Sequence, residues 1–259
     1  MLKELYTAAM GMMPQQTRLE VAANNMANAN STGFKRQAVF ERNLIDARAN
    51  FYNVKGDAEQ NDPPIGSFTD YNQGSMQITD NPLDIAIDNE GFFVVQDEEG
   101  KQFLTRNGSF KLSTDGNIVS MDGKLLLGQN GVLNLYNEFF NQSEKLDNKK
   151  LLDIEVTENG EVFANKLSVG TLMIALPGDP QTLQRVSGTD FIQTNITNST
   201  FLVQEDIRVK QGYLENSNVD IVSEMIQMIE LQRMFEAGSK VIKTNEGTLS
   251  DSIRMGRYF

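Results

Sequence analysis

Apolar residues at heptad spacing occupy both ends of this 259-residue chain, and they limit its possible folds more than any other feature. The C-terminal pattern covers residues 221–253 in steps of four and three, which is the spacing of a coiled-coil seam. The N-terminal pattern has the same steps and ends near residue 26. Two such segments can pair antiparallel within one subunit, so that the middle of the chain becomes an excursion between them.

The apolar members of the two seams are the candidate assembly residues. They are Leu2, Leu5, Met12, Leu19 and Met26 near the N-terminus, and Ile221, Met225, Met228, Phe235, Ile242, Leu249 and Ile253 near the C-terminus. The simpler alternative is that each end forms one amphipathic helix on a globular core. The C-terminal pattern is longer than the roughly 8–20 residues of an ordinary globular helix, which favours a bundle helix. Pro14 lies inside the N-terminal pattern and predicts a kink or a restart of the helix.

The N-terminal seam stops at a cluster of asparagines in the stretch NNMANANSTGFK, residues 24–35. Asparagine is a poor helix-interior residue because its side chain competes for backbone hydrogen bonds. We therefore expect Asn28 or Asn30 to end the helix. We expect Gly33 to adopt backbone angles that other residues resist and Phe34 to anchor the outgoing chain. A simple helix stop would explain Gly33 equally well.

Turn signals recur between residues 65 and 215 and indicate an antiparallel β domain. Asn-Gly and Asp-Gly between apolar or alternating runs are strong hairpin signals, since both central residues of the turn must accept positive φ. The turn pairs, which include two Glu-Gly pairs, end at Gly91, Gly100, Gly108, Gly116, Gly123, Gly131 and Gly160. The polar stretch at residues 50–64 ends in Pro63 and Pro64 and indicates a linker.

These patterns together predict a mainly β protein with terminal α-helices. An antiparallel β domain is inserted between N- and C-terminal heptad helices that pair as a bundle. We expect the N-terminal bundle helix at residues 1–32, an extended linker at 33–65, an acidic β domain at 66–215 and the C-terminal bundle helix at 216–259.

The net charge of −12 is concentrated in the middle of the chain. Lys and Arg number 6 against 4 acidic residues at 1–49 and 5 against 6 at 216–259, which leaves 12 against 25 between them. An acidic surface repels nucleic acid and anionic membranes, so we expect no nucleic-acid partner. No apolar run reaches the roughly 20 residues that span a bilayer, and the N-terminus lacks the pattern of a cleaved signal peptide. We therefore expect no membrane insertion.

Enzymatic chemistry is disfavoured because the chain has no cysteine and no histidine, the residues of most hydrolase and metal sites. Acidic clusters at residues 57–62 and 97–99 lack EF-hand spacing, which favours solvated turns. We expect no catalytic, cofactor-binding or metal site and no small-molecule substrate. The alternative is a carbohydrate-active enzyme or binding module on the β domain, with Asp84 and Asp88 or Glu98 as paired carboxylates. A retaining glycosidase would need its carboxyl groups roughly 5 Å apart in a cleft.

Three motifs give the chain a resemblance to a known family. The stretch ANNMANANSTGFKR at residues 23–36 resembles the N-terminal signature of bacterial flagellar axial proteins, the rod and hook subunits. GSMQITDNPLDIAIDNEGFFVV at 74–95 resembles the central motif, and QGYLENSNVDIVSEMIQMIELQRMFEAGSKVI at 211–242 resembles the C-terminal one. The motifs occur in the family's order, and three together are specific.

The resemblance implies a structural subunit of the flagellar basal-body rod that polymerises through its terminal helices. It implies partners among the rod and hook subunits, including other copies of itself, and the flagellar type III export apparatus. Export would then need no cleaved signal peptide, and the chain would not be an enzyme. The stretch at residues 104–135 is similar to the proximal rod type, which we favour over the distal type. The hook protein would carry a further outer domain for which the chain has no room.

Overall fold

A computed structural model of the chain describes residues 2–41, 65–136, 153–193, 199–201 and 206–256. Within these ranges the protein is mainly β, with one α-helix near each terminus and antiparallel strand pairs, which confirms the predicted fold class at this level. The chain divides into two compact units. The first unit comprises Met1–Ala29, Arg36–Asp70 and Val219–Phe259, and the second comprises Asn30–Lys35 and Tyr71–Asn218.

The first unit contains both helices, α1 (Leu2–Ala27) and α2 (Ile221–Gly256), and they contact each other. A β-carbon placed on Gly238 would lie 3.2 Å from the Met12 Cγ atom, so the two helices approach closely there. Helix α1 runs through Pro14 as one element and does not restart there, although proline lacks an amide hydrogen for the helical ladder. Within the described residues, neither helix is long and apolar enough to cross a membrane.

A two-stranded antiparallel ribbon completes the first unit. Strand β1 (Gln37–Glu41) pairs with β2 (Ile65–Thr69), so that Phe40 lies opposite Gly66. Without a β-carbon at Gly66, the Phe40 ring lies directly over the partner strand. The predicted linker at residues 50–64 lies outside the described residues.

The second unit is built from short antiparallel strands. They are β3 (Met76–Ile78), β4 (Ile85–Ile87), β5 (Phe92–Gln96), β6 (Gln102–Thr105), β7 (Phe110–Leu112), β8 (Ile118–Ser120), β9 (Leu125–Gly128), β10 (Gly131–Val132), β11 (Ile154–Val156), β12 (Glu161–Ala164), β13 (Leu167–Thr171), β14 (Ile174–Pro177), β15 (Leu183–Ser187), β16 (Asp190–Gln193), β17 (Ser199–Phe201), β18 (Val209–Gln211) and β19 (Tyr213–Glu215). The main sheet has the order β15-β16-β6-β5-β9-β8-β7, with β10 beside β9 and β14 between β5 and β17.

Strand β5 lies at the centre of the second unit and is buried on both faces. Phe93 and Val95 belong to a large apolar cluster on one side of it, and Phe92 and Val94 belong to a smaller cluster on the other. Successive side chains of a strand point to opposite faces, so a run of four apolar residues fits only a strand that is covered twice. Strand β4 pairs with β18, and Ile85, Ile87 and Val209 of this pair belong to the larger cluster, whereas β3 pairs with β19 outside both clusters.

Most of the predicted turns join paired strands. The turns at Gly100, Gly116, Gly123, Gly131 and Gly160 each lie between two consecutive strands that pair with each other. The prediction was wrong at Gly91 and Gly108, because the strands on either side of each do not pair among the described residues. At Gly108 the glycine has another purpose, since a β-carbon there would lie 1.6 Å from the Ile85 carbonyl oxygen.

Candidate functional site

One face of α2 is covered within the folded chain. Glu224 and Leu231 are buried, and Met228 and Phe235 are half-buried. These positions follow one another in steps of four and three, so they lie on one side of the helix. The Glu224 carboxylate is 2.5 Å from the Arg36 Nε atom of the same unit. Because that charge is paired, the covered face tolerates a buried carboxylate.

The opposite face of α2 exposes a group of large apolar side chains. Val222, Met225, Ile226 and Ile229 are 65%, 50%, 55% and 50% exposed. Their spacing of i, i+3, i+4 and i+7 places them in one stripe, roughly half a turn from the covered face. We call these four residues the exposed apolar face. A helix with apolar residues on both sides needs two partners, and the described residues cover α2 on one side.

The predicted seam residues are distributed over these surfaces. Half-buried side chains are found at Met12, Leu19, Met26, Met228, Phe235 and Ile242, whereas Ile221 and Met225 are exposed. The positions of Leu2, Leu5, Leu249 and Ile253 fall on the helices, but their side chains lie outside the described part of the structure.

Leu231 and Glu224 belong to the covered face but not to the predicted seam. They lie on a second heptad register that shares Met228, Phe235 and Ile242 with the predicted one. The charge of Glu224 obscured this register, because its partner Arg36 lies 188 residues away in the sequence. The available signal in the sequence was a leucine, Leu231, seven residues after Glu224 and between Met228 and Phe235.

We call residues 24–35, at and after the C-terminal end of α1, the helix exit. Among its asparagines, Asn25 makes a contact that the sequence did not predict. It is 1% exposed. Its Nδ2 atom donates to the Gln37 carbonyl oxygen at 2.8 Å, and its Oδ1 atom accepts from the Gln37 amide at 2.9 Å. The side chain thus pairs with the backbone of β1 as a neighbouring strand would, and it fixes α1 to β1.

Replacement of Asn25 by leucine is expected to destabilise the packing of α1 on β1 by about 1–3 kcal/mol, because two hydrogen bonds are lost and the Gln37 backbone groups stay unsatisfied. Hydrogen–deuterium exchange of the amides at residues 37–40 measures the loss of protection. Asn24→Leu is the matched control, since Asn24 is exposed on the same helix turn. Equal protection in the two variants would contradict this role for Asn25.

The end of α1 is closed by the next asparagine. The Asn28 amide donates to the Asn24 and Asn25 carbonyl oxygens at 3.2 Å each, and its side chain donates to the Asn24 carbonyl oxygen at 2.9 Å. These bonds satisfy carbonyl groups that the last helical turn would otherwise leave unpaired. Asn30 is exposed and is the first residue of the second unit.

Gly33 sits where no side chain fits. Its φ is +69°, in the left-handed region. A β-carbon there would lie 2.4 Å from the Arg106 carbonyl carbon and 2.5 Å from the Asn107 amide nitrogen. The Gly33 amide donates to the Glu215 carbonyl oxygen at 2.7 Å. Conformation and space both require glycine at this position.

Phe34 anchors the segment in the second unit. The side chain is 1% exposed, and the Arg185 guanidinium carbon lies 4.3 Å from its ring centroid. The same guanidinium carbon lies 5.2 Å from the Phe191 ring centroid, and Arg185 donates to the Lys35 carbonyl oxygen. Burial lowers the pKa of Arg185, and this desolvation is the largest influence on it. The arginine therefore joins the segment to β15 through a ring face and a carbonyl group.

Lys35 enters a buried ion cluster whose centre is Glu215. Its Nζ atom donates to the Glu215 Oε1 atom at 2.7 Å and to the Asn72 carbonyl oxygen at 2.8 Å, and both charged side chains are 1% exposed. The Gly74 amide donates to the same carboxylate oxygen at 3.0 Å. An ammonium group that loses water on burial regains hydrogen-bond partners here.

Arg106 supplies the second cation of the cluster. Its Nη1 atom donates to the Glu215 Oε2 atom at 3.3 Å, and its Nη2 atom donates to the Asn89 carbonyl oxygen at 2.9 Å. Desolvation lowers the pKa of Arg106, and the Glu215 carboxylate opposes that shift. One carboxylate therefore pairs with two buried cations, each from a different part of the chain.

The carboxylates of the alternative enzyme hypothesis have structural partners. Asp84 is buried and accepts a hydrogen bond from the Asn81 side chain at 3.1 Å. Asp88 is exposed and pairs with the Lys210 Nζ atom at 2.9 Å, and Glu98 is exposed in the turn between β5 and β6. The described residues contain no group of three acidic side chains that could hold a metal ion.

Three protein-family models match this chain along its length. The model described as "Flagella basal body rod protein" matches residues 5–35. The model described as "Flagellar hook protein FlgE/F/G D1 domain" matches residues 86–164. The model described as "Flagellar basal body rod FlgEFG protein C-terminal" matches residues 210–255.

Curated proteins are similar to the chain over nearly its whole length. The flagellar basal-body rod protein FlgG of Agrobacterium fabrum is 33% identical, with 94% of this chain and 95% of the relative covered. FlgG of Bacillus subtilis is 28% identical, with 99% and 100% covered. The flagellar basal-body rod protein FlgF of Caulobacter vibrioides is 29% identical, with 98% of each chain covered.

Proposed function

Because this chain belongs to the flagellar basal-body rod protein family, we propose that its two terminal helices pair as a bundle and carry the contacts to neighbouring subunits. The protein is a structural subunit of the flagellar rod, and its place is the basal body of the flagellum. The family comprises rod and hook proteins. The partners of this chain are therefore other copies of itself and related subunits.

Contacts inside the first unit support the helix bundle. Helices α1 and α2 touch, and they approach closely where Met12 faces Gly238. Small residues at a helix contact let the two backbones come near each other. Asn25 fixes α1 to the ribbon, and Arg36 at the start of the ribbon fixes α2 through Glu224. The ribbon thus acts as a brace for both helices.

The exposed apolar face is the observation that carries the proposed assembly contact. Val222, Met225, Ile226 and Ile229 present a contiguous apolar stripe on one end of α2. Such stripes on a folded chain mark interaction surfaces, because burying them in a partner removes apolar area from water. A rod subunit has neighbours on several sides, and a helix of a neighbouring subunit would cover this stripe. The predicted seam residues Ile221 and Met225 lie at its edge and within it.

Replacement of Ile226 by asparagine is expected to weaken each subunit contact by roughly 1–3 kcal/mol, through lost apolar burial and an amide that is buried without a partner. The monomer should keep its stability to within about 0.5 kcal/mol, because the side chain is exposed before assembly. Sedimentation at high protein concentration measures assembly, and swimming of the mutant cells measures rod function.

Gln227→Asn is the matched control for this change. It introduces the same side chain one position further round α2, where Gln227 is exposed and lies outside the apolar face. Polymerisation should be unchanged in that variant. Normal polymerisation of the Ile226→Asn protein would remove the exposed apolar face from the assembly contact.

The predicted division of the chain stays a proposal. Residues 1–32 and 216–259 would form the inner bundle, residues 33–65 the linker, and residues 66–215 the outer, acidic domain. The compactness of Tyr71–Asn218 supports an independent outer domain. Helices α1 and α2 belong to the other unit, which supports their common place in the bundle.

The preference for the proximal rod type also stays a prediction. Relatives named FlgG and FlgF cover 94% and 98% of the chain, at 33% and 29% identity, so identity does not separate the types. A density map of the isolated basal body, with this subunit labelled, would show its axial position. Density at the distal end of the rod would contradict the proximal assignment.

A structural role without catalysis is our proposal for the second unit. Family membership supports it, and Asp84 and Asp88 are engaged by neighbouring side chains. Incubation with peptidoglycan should release no product, and release would favour the carbohydrate-active alternative. Passage through the flagellar type III export apparatus follows from the resemblance, and the lack of cysteine is compatible with an unfolded export state.

A further inference from the structure

The short segment Asn30–Lys35 belongs to the second unit, although its neighbours in sequence belong to the first. Of the described residues before Tyr71, those at Asn30–Lys35 alone belong to the second unit, and the chain on both sides of them belongs to the first. The segment therefore packs within the second unit, although the chain before and after it belongs to the first.

Three consecutive residues of the segment each make a different kind of contact with the rest of the second unit. At Gly33, the Arg106 and Asn107 backbone leaves no space for a β-carbon. The Phe34 ring is buried and lies against the Arg185 guanidinium. The Lys35 ammonium group donates to the Glu215 carboxylate and to the Asn72 carbonyl oxygen.

The walls of this site come from parts of the chain that are remote from the segment. They comprise the backbone at residues 71–74 and the side chains of Arg106, Arg185 and Glu215. All of them lie within the second unit. Residue 71 follows Lys35 by 36 positions of chain, so the geometry of the site does not require that the segment belong to the same molecule.

We propose that these walls form a peptide-binding socket for a Gly-Phe-Lys segment, which the same segment of a second copy occupies when the cis segment is absent. The recognised chemistry is a left-handed glycine, a buried aromatic ring and an ammonium group. Exchange of a short element between identical chains needs no new surface, because the contacts made in trans are those made in cis. The socket lies within the second unit and uses no residue of α1 or α2, so it is independent of the proposed helix assembly.

The experiment uses the full-length chain with Phe34→Ala and Lys35→Ala, which empties the socket. Removal of Lys35 leaves the Glu215 carboxylate paired with Arg106. A fluorescein-labelled peptide with the sequence of residues 29–37, ANSTGFKRQ, is titrated against it and followed by fluorescence anisotropy. The peptide should bind the emptied variant, whereas the unchanged protein, whose socket is filled, should not bind it.

Peptide variants test the recognition of each anchor. A peptide with Lys35→Met should bind at least about ten-fold more weakly, since charge-assisted hydrogen bonds of the ammonium group are lost. A peptide with Gly33→Ala should bind below detection, because its β-carbon meets backbone. Equal binding of all three peptides, equal binding to filled and emptied protein, or no binding to a folded emptied protein would each overturn the socket.

A second measurement covers the case in which the emptied variant is unfolded. The variant is then refolded from urea with and without the peptide at millimolar concentration. Restoration of a cooperative unfolding transition by the unchanged peptide, and not by the Gly33→Ala peptide, supports the socket. Failure of both peptides to restore it contradicts the proposal, whatever the Ile226→Asn variant does in assembly.

Discussion

Replacement of Glu215 by glutamine is expected to destabilise the second unit by about 3–5 kcal/mol, the usual cost of removing one partner from a buried ion cluster. The glutamine oxygen still accepts from Lys35 and from the Gly74 amide. Its amide group, however, meets the Arg106 Nη1 atom, which is itself a donor and lies 3.3 Å from the carboxylate oxygen in the native cluster. The two buried cations, Lys35 and Arg106, then lose the carboxylate that they share.

Urea denaturation followed by hydrogen–deuterium exchange of β5 and β6 measures this loss in the second unit. Hydrogen–deuterium exchange reports on the two units separately. Tryptophan fluorescence could not do so, because the chain has no tryptophan. Glu155→Gln is the matched control, since Glu155 is an exposed residue of β11 in the same unit. It should change the stability by less than about 0.5 kcal/mol. A loss below about 1 kcal/mol for Glu215→Gln would show that the cluster is not the anchor described above.

Replacement of Gly33 by alanine is expected to cost roughly 2–5 kcal/mol, the sum of two separate penalties. The first is the left-handed φ of +69°, which costs about 1–2 kcal/mol for a residue with a β-carbon. The second is overpacking of about 1–3 kcal/mol, because the new methyl group would overlap the Arg106 carbonyl group, whose carbon is 2.4 Å away. Backbone atoms cannot rotate aside as a flexible side chain does, so the segment must shift.

Gly123→Ala separates these two penalties. Gly123 has a φ of +88° in the same unit, and a β-carbon there meets nothing within 4 Å. The control should therefore show the conformational cost alone. The difference between the two urea midpoints gives the cost of the close approach at Gly33. Equal losses in both variants would mean that the Arg106 backbone moves aside without penalty.

Local patterns were sufficient to predict the elements of the fold. Heptad spacing placed α1 and α2, and turn dipeptides placed five hairpin turns, since both signals depend on residues close together in sequence. Gly91 and Gly108 were misread for the same reason. A glycine that makes room for a distant backbone, as Gly108 does for Ile85, looks the same in sequence as a glycine in a tight turn.

The contacts of the helix exit were less predictable because they join distant residues. The sequence drew attention to Asn28, Asn30, Gly33 and Phe34, and each of them has a defined place at the end of α1 or in the second unit. The hydrogen-bond partners in this stretch were not predicted. Asn25 bonds to the backbone of Gln37, and Lys35 bonds to Glu215. An ion pair 180 residues apart leaves no periodic trace in a single sequence.

The distance in sequence between Lys35 and Glu215 also sets the order in which the second unit can fold. Strands β3 and β4, near its start, pair with β19 and β18 at its end, and the Gly-Phe-Lys segment bonds to the last residue of β19. Because a chain is synthesised from its N-terminus, these early elements exist before their partners do. Closing such long loops is entropically costly and slow. The second unit should consequently stay open until residue 215 is available and then fold in one late, cooperative step.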